Sequence, residues 1–371
     1  MTTLATDRRA LSAPADLEWF GSRAGLPLSA SSVLMHAPSH AFQAPGGGEI
    51  QLLRTARSLA DRGVDVRPFV PWADRLERAR LIHLFGMSAE GLALARVARS
   101  RRLPVALSPI CWLDPRALWA LAPSTIGGAA DLVKWGLRRS WPTAPTWRRE
   151  LLRLADVILP NSVDEADQLI RLFGARPGSI AVVPNGVDER FTAARSAGDR
   201  PRDGVLYVGR IEPRKNVLRL VEAARRIDVP LRVIGNPVPG HEAYADDCRA
   251  RAGPRARFDR AVAHDDPRLV EAYAGARVLA LPSWFETPGL AALEAALAGC
   301  ALVVTPYGST RSYFGERAVY IRPGSVRSIA DGLARALDRG PAPGLADHVR
   351  NRYLWPEVAR RTAEAYDRIA G

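Results

Sequence analysis

Short apolar runs separated by amphipathic stretches recur along the chain. They lie at residues 31–39, 64–70, 81–85, 104–107, 156–159 and 178–183, and again at 205–208, 230–234, 257–258, 278–281 and 301–305. Runs this short and this apolar predict buried strands. Helical periodicity fills the intervals at 89–100, 216–226, 266–275, 326–337 and 356–370. A glycine-rich turn, Gly46-Gly47-Gly48, opens another helix with apolar positions Ile50, Leu53, Ala56 and Ala60. Strands alternating with helices predict mostly parallel sheets covered on both faces, an α/β class.

The alternation runs twice. The first series closes at the turn Pro184-Asn185-Gly186-Val187-Asp188, and the polar, breaker-rich stretch 190–203 then reads as a linker. Four segments result: an extension over 1–30, a first domain over 31–189, a second over 204–354, and a terminal helix over 355–371 expected to pack back on the first domain. At 371 residues each half is large enough for its own core. Open α/β sheets bind ligands beyond the carboxyl ends of their strands, so the cleft between the halves is the expected site.

One helix breaks the amphipathic rule. Residues 288–299, PGLAALEAALAG, are apolar or small all round except Glu294, as in a helix buried on every side. A buried carboxylate needs a strong partner, a salt bridge or a polar ligand. Thr287 fits the N-cap and Pro288 the first helical position, which aims the free N–H groups of Gly289 and Leu290 at an anion. Glu286 precedes the cap, and Glu294 lies six residues, about 9 Å, along the helix. A second cradle is VLYVGRIEPRKN, where a strand runs into Gly209 and Arg210 and then Arg214-Lys215-Asn216 at a helix start. Cations at a strand's carboxyl end beside a helix N-terminus hold anions; alone, they read equally as solvated loop charge.

Together these residues resemble the retaining GT-B glycosyltransferases, specifically glycosyltransferase family 4. The Glu-x7-Glu pair falls on Glu286 and Glu294, and PNGVD, ADVILPNS at 155–162, the Gly46–Gly48 turn and the ending YLWPEVARRTAEAYDRIA are also similar. The resemblance implies two Rossmann-like domains facing each other across a cleft. It also implies that Arg210 and Lys215 hold the donor diphosphate, that Glu294 accepts from ribose hydroxyls, and that Glu286 lies near the donor sugar. Backbone at Gly209, Gly289 and Leu290 belongs to the donor site, and Gly47 and Gly48 approach the phosphates or acceptor. The implied reaction moves a sugar from a UDP- or GDP-sugar to a saccharide or lipid-linked acceptor in bacterial envelope or exopolysaccharide synthesis. Retention of configuration, no cofactor and no metal are implied as well, and the chain has no Asp-x-Asp. Two departures stand out: residues 106–115, ALSPICWLDP, lack the histidine many relatives carry after the fourth strand, and Thr287-Pro288 replaces a Gly-Phe. His36, His40 and His83 are assigned no such role.

Composition narrows the setting. No apolar run approaches the roughly 18 residues of a membrane span, and residues 1–20 lack the apolar core of a signal peptide, so a cytoplasmic protein is expected. Cys111, Cys248 and Cys300 are scattered, without metal-ligand spacing. Gly46-x-Gly48-x-x-Gln51 lacks the third glycine of a dinucleotide fingerprint, and Phe69-Val70-Pro71 brings no ribose-binding acid, so NAD is not expected. The net charge of +13 calls for an anionic partner. Residues 131–153 interleave Trp135, Trp141 and Trp147 with Lys134, Arg138, Arg139, Arg148, Arg149 and Arg153. That pattern suits an anionic membrane surface, on the inner face of the cytoplasmic membrane, or a helix pair with basic exposed faces. Nucleic acid is not an expected partner.

Overall fold

The computed structural model describes residues 15–43, 46–196, 201–287 and 289–370. Two parallel sheets form, each flanked by helices, in the Rossmann-like pair that the resemblance implies. The first holds β1 (Val33–His36), β2 (Val66–Pro68), β3 (Leu81–Phe85), β4 (Val105–Ser108) and β5 (Val157–Ile158) in the order β2-β1-β3-β4-β5. The second holds β6 (Asp203–Val208), β7 (Leu231–Ile234), β8 (Ala256–Asp259), β9 (Ala276–Leu281), β10 (Ala301–Val304) and β11 (Val319–Tyr320) in the order β11-β10-β9-β6-β7-β8. Strands β9 and β10 are buried almost throughout, which is why they read as unbroken apolar runs. Strand order reverses between β6 and β9, so their carboxyl ends flank the second sheet's switch point.

Several expectations need correction. The segment read as an extension is in part built into the first domain: Ala15–Ser22 is a helix that buries Phe20 in the first core, and residues 1–14 lie outside the described residues. Residues 178–183 do not form a strand. The Pro177-Gly178 pair starts the 3-10 turn Pro177–Ser179, and only Ile180 bridges Ile158. The stretch expected as a linker begins as the 3-10 turn Glu189–Thr192 and the helix Ala193–Ser196, anchored by Phe191 in the second core; residues 197–200 are outside the described residues. On the helix Gly47–Ala60 the buried face centres on Leu52, Leu53, Ala56 and Leu59, leaving Ile50 and Ala60 half-buried.

The terminal helix Trp355–Ala370 packs against Gly47–Ala60 and gives Val358, Ala359 and Tyr366 to the first domain's core. His83 in β3 is fully buried there, bonded through Nδ1 to Tyr366 Oη (2.7 Å) and through Nε2 to Ser108 Oγ (2.9 Å). Burial pushes its pKa down to about 3, so it is a neutral packing residue remote from any proton-transfer duty.

Candidate active site

The site is assembled at the second switch point by two loops. After β6, the 3-10 turn Pro213–Lys215 presents Arg214 and Lys215, and Asn216 takes a left-handed conformation, φ +59°. Buried Asn216 fixes the turn by donating from Nδ2 to Pro282 O (2.9 Å) and Pro323 O (2.8 Å). The second loop, after β9, is clamped to the cation turn by Trp284 N–H on Arg214 O (3.0 Å). Arg214 also stacks on the Phe285 ring, 5.1 Å from its centroid.

Glu286 is held at both ends. Its backbone N–H donates to Tyr307 O (3.1 Å) and its carbonyl accepts from Ser309 N–H (2.8 Å). This close pairing requires glycine at 308: a Cβ there would lie 1.9 Å from Glu286 O, at φ +97°. The carboxylate is 3% exposed, and its Oε1 accepts from Lys215 Nζ (2.6 Å) and Ser283 Oγ (2.5 Å). Burial pushes its pKa up, but Lys215, Arg214 and Ser283 outweigh that and hold it below the usual carboxylate value. Burial depresses the Lys215 ammonium, and Glu286 opposes the shift only in part.

The buried helix is shorter than expected. It spans Leu290–Leu297, and its N-cap is Gly289, at φ +85° and without a side-chain cap bond, not Thr287. The chain turns into the helix through a left-handed residue, which a glycine adopts without strain. Pro288 lies outside the described residues.

Glu294 is 4% exposed and finds two protein partners: Oε1 pairs with His264 Nε2 (2.8 Å) and Oε2 accepts from Tyr273 Oη (2.6 Å). Burial raises its pKa, and His264, Tyr273 and Arg190 more than offset that. Its carboxylate has about four lone-pair sites, so acceptor capacity remains beyond these two bonds. His264 Nδ1 faces Arg54 Nη2 (3.4 Å) and Arg190 Nη2 (3.5 Å). Arg54 comes from the first domain's glycine-turn helix and also pairs with Asp188 (2.8 Å).

Across the cleft lies the first domain's glycine turn. A Cβ at Gly46 would sit 3.2 Å from Arg210 Nη1, one at Gly47 3.8 Å from Leu290 Cδ1, and one at Gly48 3.5 Å from Ile110 Cδ1. Arg210, bonded to Glu212 (3.3 Å), therefore reaches the opposite domain, and the small residues of the turn admit it. Arg210, Lys215, Glu286, Gly289, Leu290, Gly47 and Gly48 thus converge on one cleft, and Gly209 ends the strand that feeds it. His264, Tyr273, Ser283 and Arg54 were not expected; Ser283 lies within the recognised turn, but nothing in the spacing marks the others.

Two family models match the chain: one described as glycosyl transferases group 1 over residues 202–339, the other as a glycosyl transferase 4-like domain over residues 67–186. Similar curated proteins include glycogen synthase of Mycobacterium tuberculosis, 32% identical over 65% of this chain and 60% of that protein. D-inositol 3-phosphate glycosyltransferase 2 of Catenulispora acidiphila is 30% identical over 59% of this chain and 57% of its own length. The chain thus spans about 60% of the length of these relatives. Sucrose-phosphate synthase from Thermosynechococcus elongatus has TM-score 0.69 at 18% identity, covering 91% of this chain and 98% of that one. Anabaena Alr3699/HepE, solved with UDP and glucose, has TM-score 0.66 at 16% identity, with 91% and 99% covered. These two solved structures share the fold.

Proposed function

Since the chain belongs to the GT-B glycosyltransferases of family 4 type, we propose that it moves a sugar, with retention of configuration, from a nucleoside-diphosphate sugar to a saccharide or lipid-linked acceptor. The donor is a UDP- or GDP-sugar, and the setting is cytoplasmic synthesis of bacterial envelope glycan or exopolysaccharide. The observation that carries the reading is the convergence of Arg210, the Lys215–Glu286 pair and the Gly289–Leu290 helix start on one switch point, facing Gly46–Gly48.

Breaking the sugar–phosphate bond leaves positive charge on the sugar ring and negative charge on the departing diphosphate. Arg210 and Lys215 stabilise the diphosphate, with the Leu290 helix start adding backbone N–H groups. Glu286 orients Lys215 and lies against the donor sugar. Glu294 accepts from the ribose hydroxyls, alongside or in place of its bond with His264. The diphosphate itself takes the acceptor's proton on the same face, which yields retention without a metal.

Incubation with UDP-, GDP- and ADP-sugars tests this. Turnover of at least one donor is expected, undiminished by EDTA, with the anomeric configuration retained by NMR. Binding without transfer or hydrolysis would instead make the chain a nucleotide- or sugar-binding protein. A phosphorylated acceptor is the second reading, favoured by the similarity to D-inositol 3-phosphate glycosyltransferases; sugar-phosphate and polyol-phosphate acceptor assays decide it.

A further inference from the structure

The helix Thr125–Ser140 faces the wrong way for a soluble protein. A helix on a globular domain normally turns its apolar stripe to the core. Here Ile126, Val133 and Leu137 fall within about 40° of one another around the axis, and that stripe points outward. Ile126 is 82% exposed, Val133 62% and Leu137 65%, and Trp141 at the helix end is 61% exposed. Gly128 is the only fully buried residue of the helix. Trp135, on the opposite side, packs against the first domain's core, so it is not one of the outward tryptophans the sequence suggests. At the helix's other end Trp119 is half exposed, its ring against Gly128, where a Cβ would sit 3.0 Å from Cε3.

Charge says what would cover this stripe. Residues 115–149 carry six basic residues, Arg116, Lys134, Arg138, Arg139, Arg148 and Arg149, and one acid, Asp131, a net +5 out of the chain's +13. Lys134, paired with Asp131 (3.1 Å), borders the apolar stripe, and half-buried Arg138 lies one helical turn beyond it. A convex apolar stripe ended by tryptophans and edged by cations matches an anionic lipid surface: side chains enter the headgroup–acyl boundary while the cations meet the headgroups. We propose that the outward face of Thr125–Ser140, with Trp119 and Trp141, docks the protein on an anionic bilayer.

The placement beside the cleft gives the contact a purpose. Arg116, at the start of the preceding helix Pro115–Ala120, stacks on Tyr307 of the second domain, 4.3 Å from its ring centroid. Ile110, just upstream, packs at the glycine turn. The bilayer would therefore lie at the cleft mouth, where an acceptor anchored in lipid could enter. The docking itself does not depend on the transferase reading.

Flotation of the full chain with phosphatidylglycerol–phosphatidylcholine vesicles, against phosphatidylcholine alone, tests it. Wild type is expected to float with the anionic vesicles. Val133→Ser/Leu137→Ser/Trp141→Ser is expected to lower the partition about tenfold, and Lys134→Gln/Arg138→Gln to lower it on anionic vesicles only. Leu137→Cys carrying an environment-sensitive dye should shift blue on adding anionic vesicles, which reads the contact without removing the stripe. Absence of wild-type flotation, equal flotation of the triple variant, or an unshifted dye would each overturn the proposal. So would a dimer in sedimentation velocity that the triple variant abolishes, since a second copy would then cover the face. Donor turnover in the triple variant without vesicles should equal wild type; a chain that floats but turns over no donor would refute the transferase and leave the docking standing.

Discussion

Lys215 and Glu286 form a buried ion pair in the cleft, with side-chain exposures of 15% and 4%. A buried pair contributes little net stability, but removing one partner strands the other's charge, at about 3–5 kcal/mol. Lys215→Met should therefore destabilise by that amount in urea unfolding and slow transfer by about 10²–10³. Adding Glu286→Gln removes the stranded charge, so the double variant should recover most of the stability and none of the rate. Recovery of both would make the pair structural only. Glu294 offers the complementary test. Its Oε1 and Oε2 each hold one bond, and His264 Nδ1 faces two guanidinium groups, which favours the tautomer with hydrogen on Nε2. Glu294→Gln puts an amide NH₂ against one of two donors and lowers the acceptor strength offered to a ribose. Donor affinity should fall by about 1.5–3 kcal/mol in calorimetry; unchanged affinity would remove Glu294 from the nucleotide site.

At the scale of elements, the terminal helix Trp355–Ala370 is docked through His83, and this makes its docking sensitive to acid. His83 titrates near 3 in the fold because of burial, against an ordinary 6.5. Between those values the unfolded chain binds a proton the folded chain does not, so stability falls as pH drops, at about 1.4 kcal/mol per pH unit. Buried Glu165 acts oppositely. Burial raises it from 4.5 to about 7, more than the N–H groups of Cys111 and Asn161 lower it, so its contribution is present below 4.5 and lost as pH rises through 7. The two slopes offset each other between about 4.5 and 6.5, and from about 4.5 down to 3 the His83 slope adds to that of carboxylates held below their usual values, Glu286, Glu294 and Glu357. In that lower window His83→Gln should flatten the dependence of melting temperature on pH relative to wild type; an equal slope would contradict this account. The same elements show what the sequence could disclose. Strands buried on both faces, such as β9 and β10, and the apolar helix Leu290–Leu297 were legible because burial alone sets their composition. The cleft's cations and Glu286 were legible because each follows its strand directly. Thr125–Ser140 was legible only as part of a basic, tryptophan-bearing pair, since its apolar stripe faces out, and Ala193–Ser196, a short string held to the core by Ala194 and the neighbouring Phe191, was not. The partners of Glu294 were equally hidden: His264 is 30 residues away on a loop and Tyr273 21 on the helix Pro267–Gly275, and only the tertiary fold brings them in.

At the scale of the molecule, the chain crosses between domains twice, and the crossings are adjacent. Val187 N–H donates to Tyr353 O (2.7 Å), and Trp355 N–H donates to Val187 O (3.3 Å). Beside them, Tyr313 Oη of the second domain donates to Asn161 O (2.7 Å) and accepts from Asn185 N–H (2.8 Å), while Ser162 and Ser309 hydroxyls meet at 2.7 Å. All of these groups except the crossings' own backbone are buried side chains or loop ends, so each bond is shielded from water and its loss leaves an unpaired group. Tyr313→Phe keeps the ring stacked on Tyr353, 4.7 Å between centroids, and deletes both Oη bonds. Two buried backbone groups then lack partners, at about 1–3 kcal/mol each. Because those groups belong to the first domain and the ring to the second, the loss falls on the coupling between domains rather than on either core. Differential scanning calorimetry should therefore show one cooperative transition for wild type and two for Tyr313→Phe, with a donor nucleotide raising only the second domain's transition in the variant. A single transition at the wild-type temperature would mean that Ser162–Ser309, Arg54–His264 and the paired crossings hold the halves together without Tyr313.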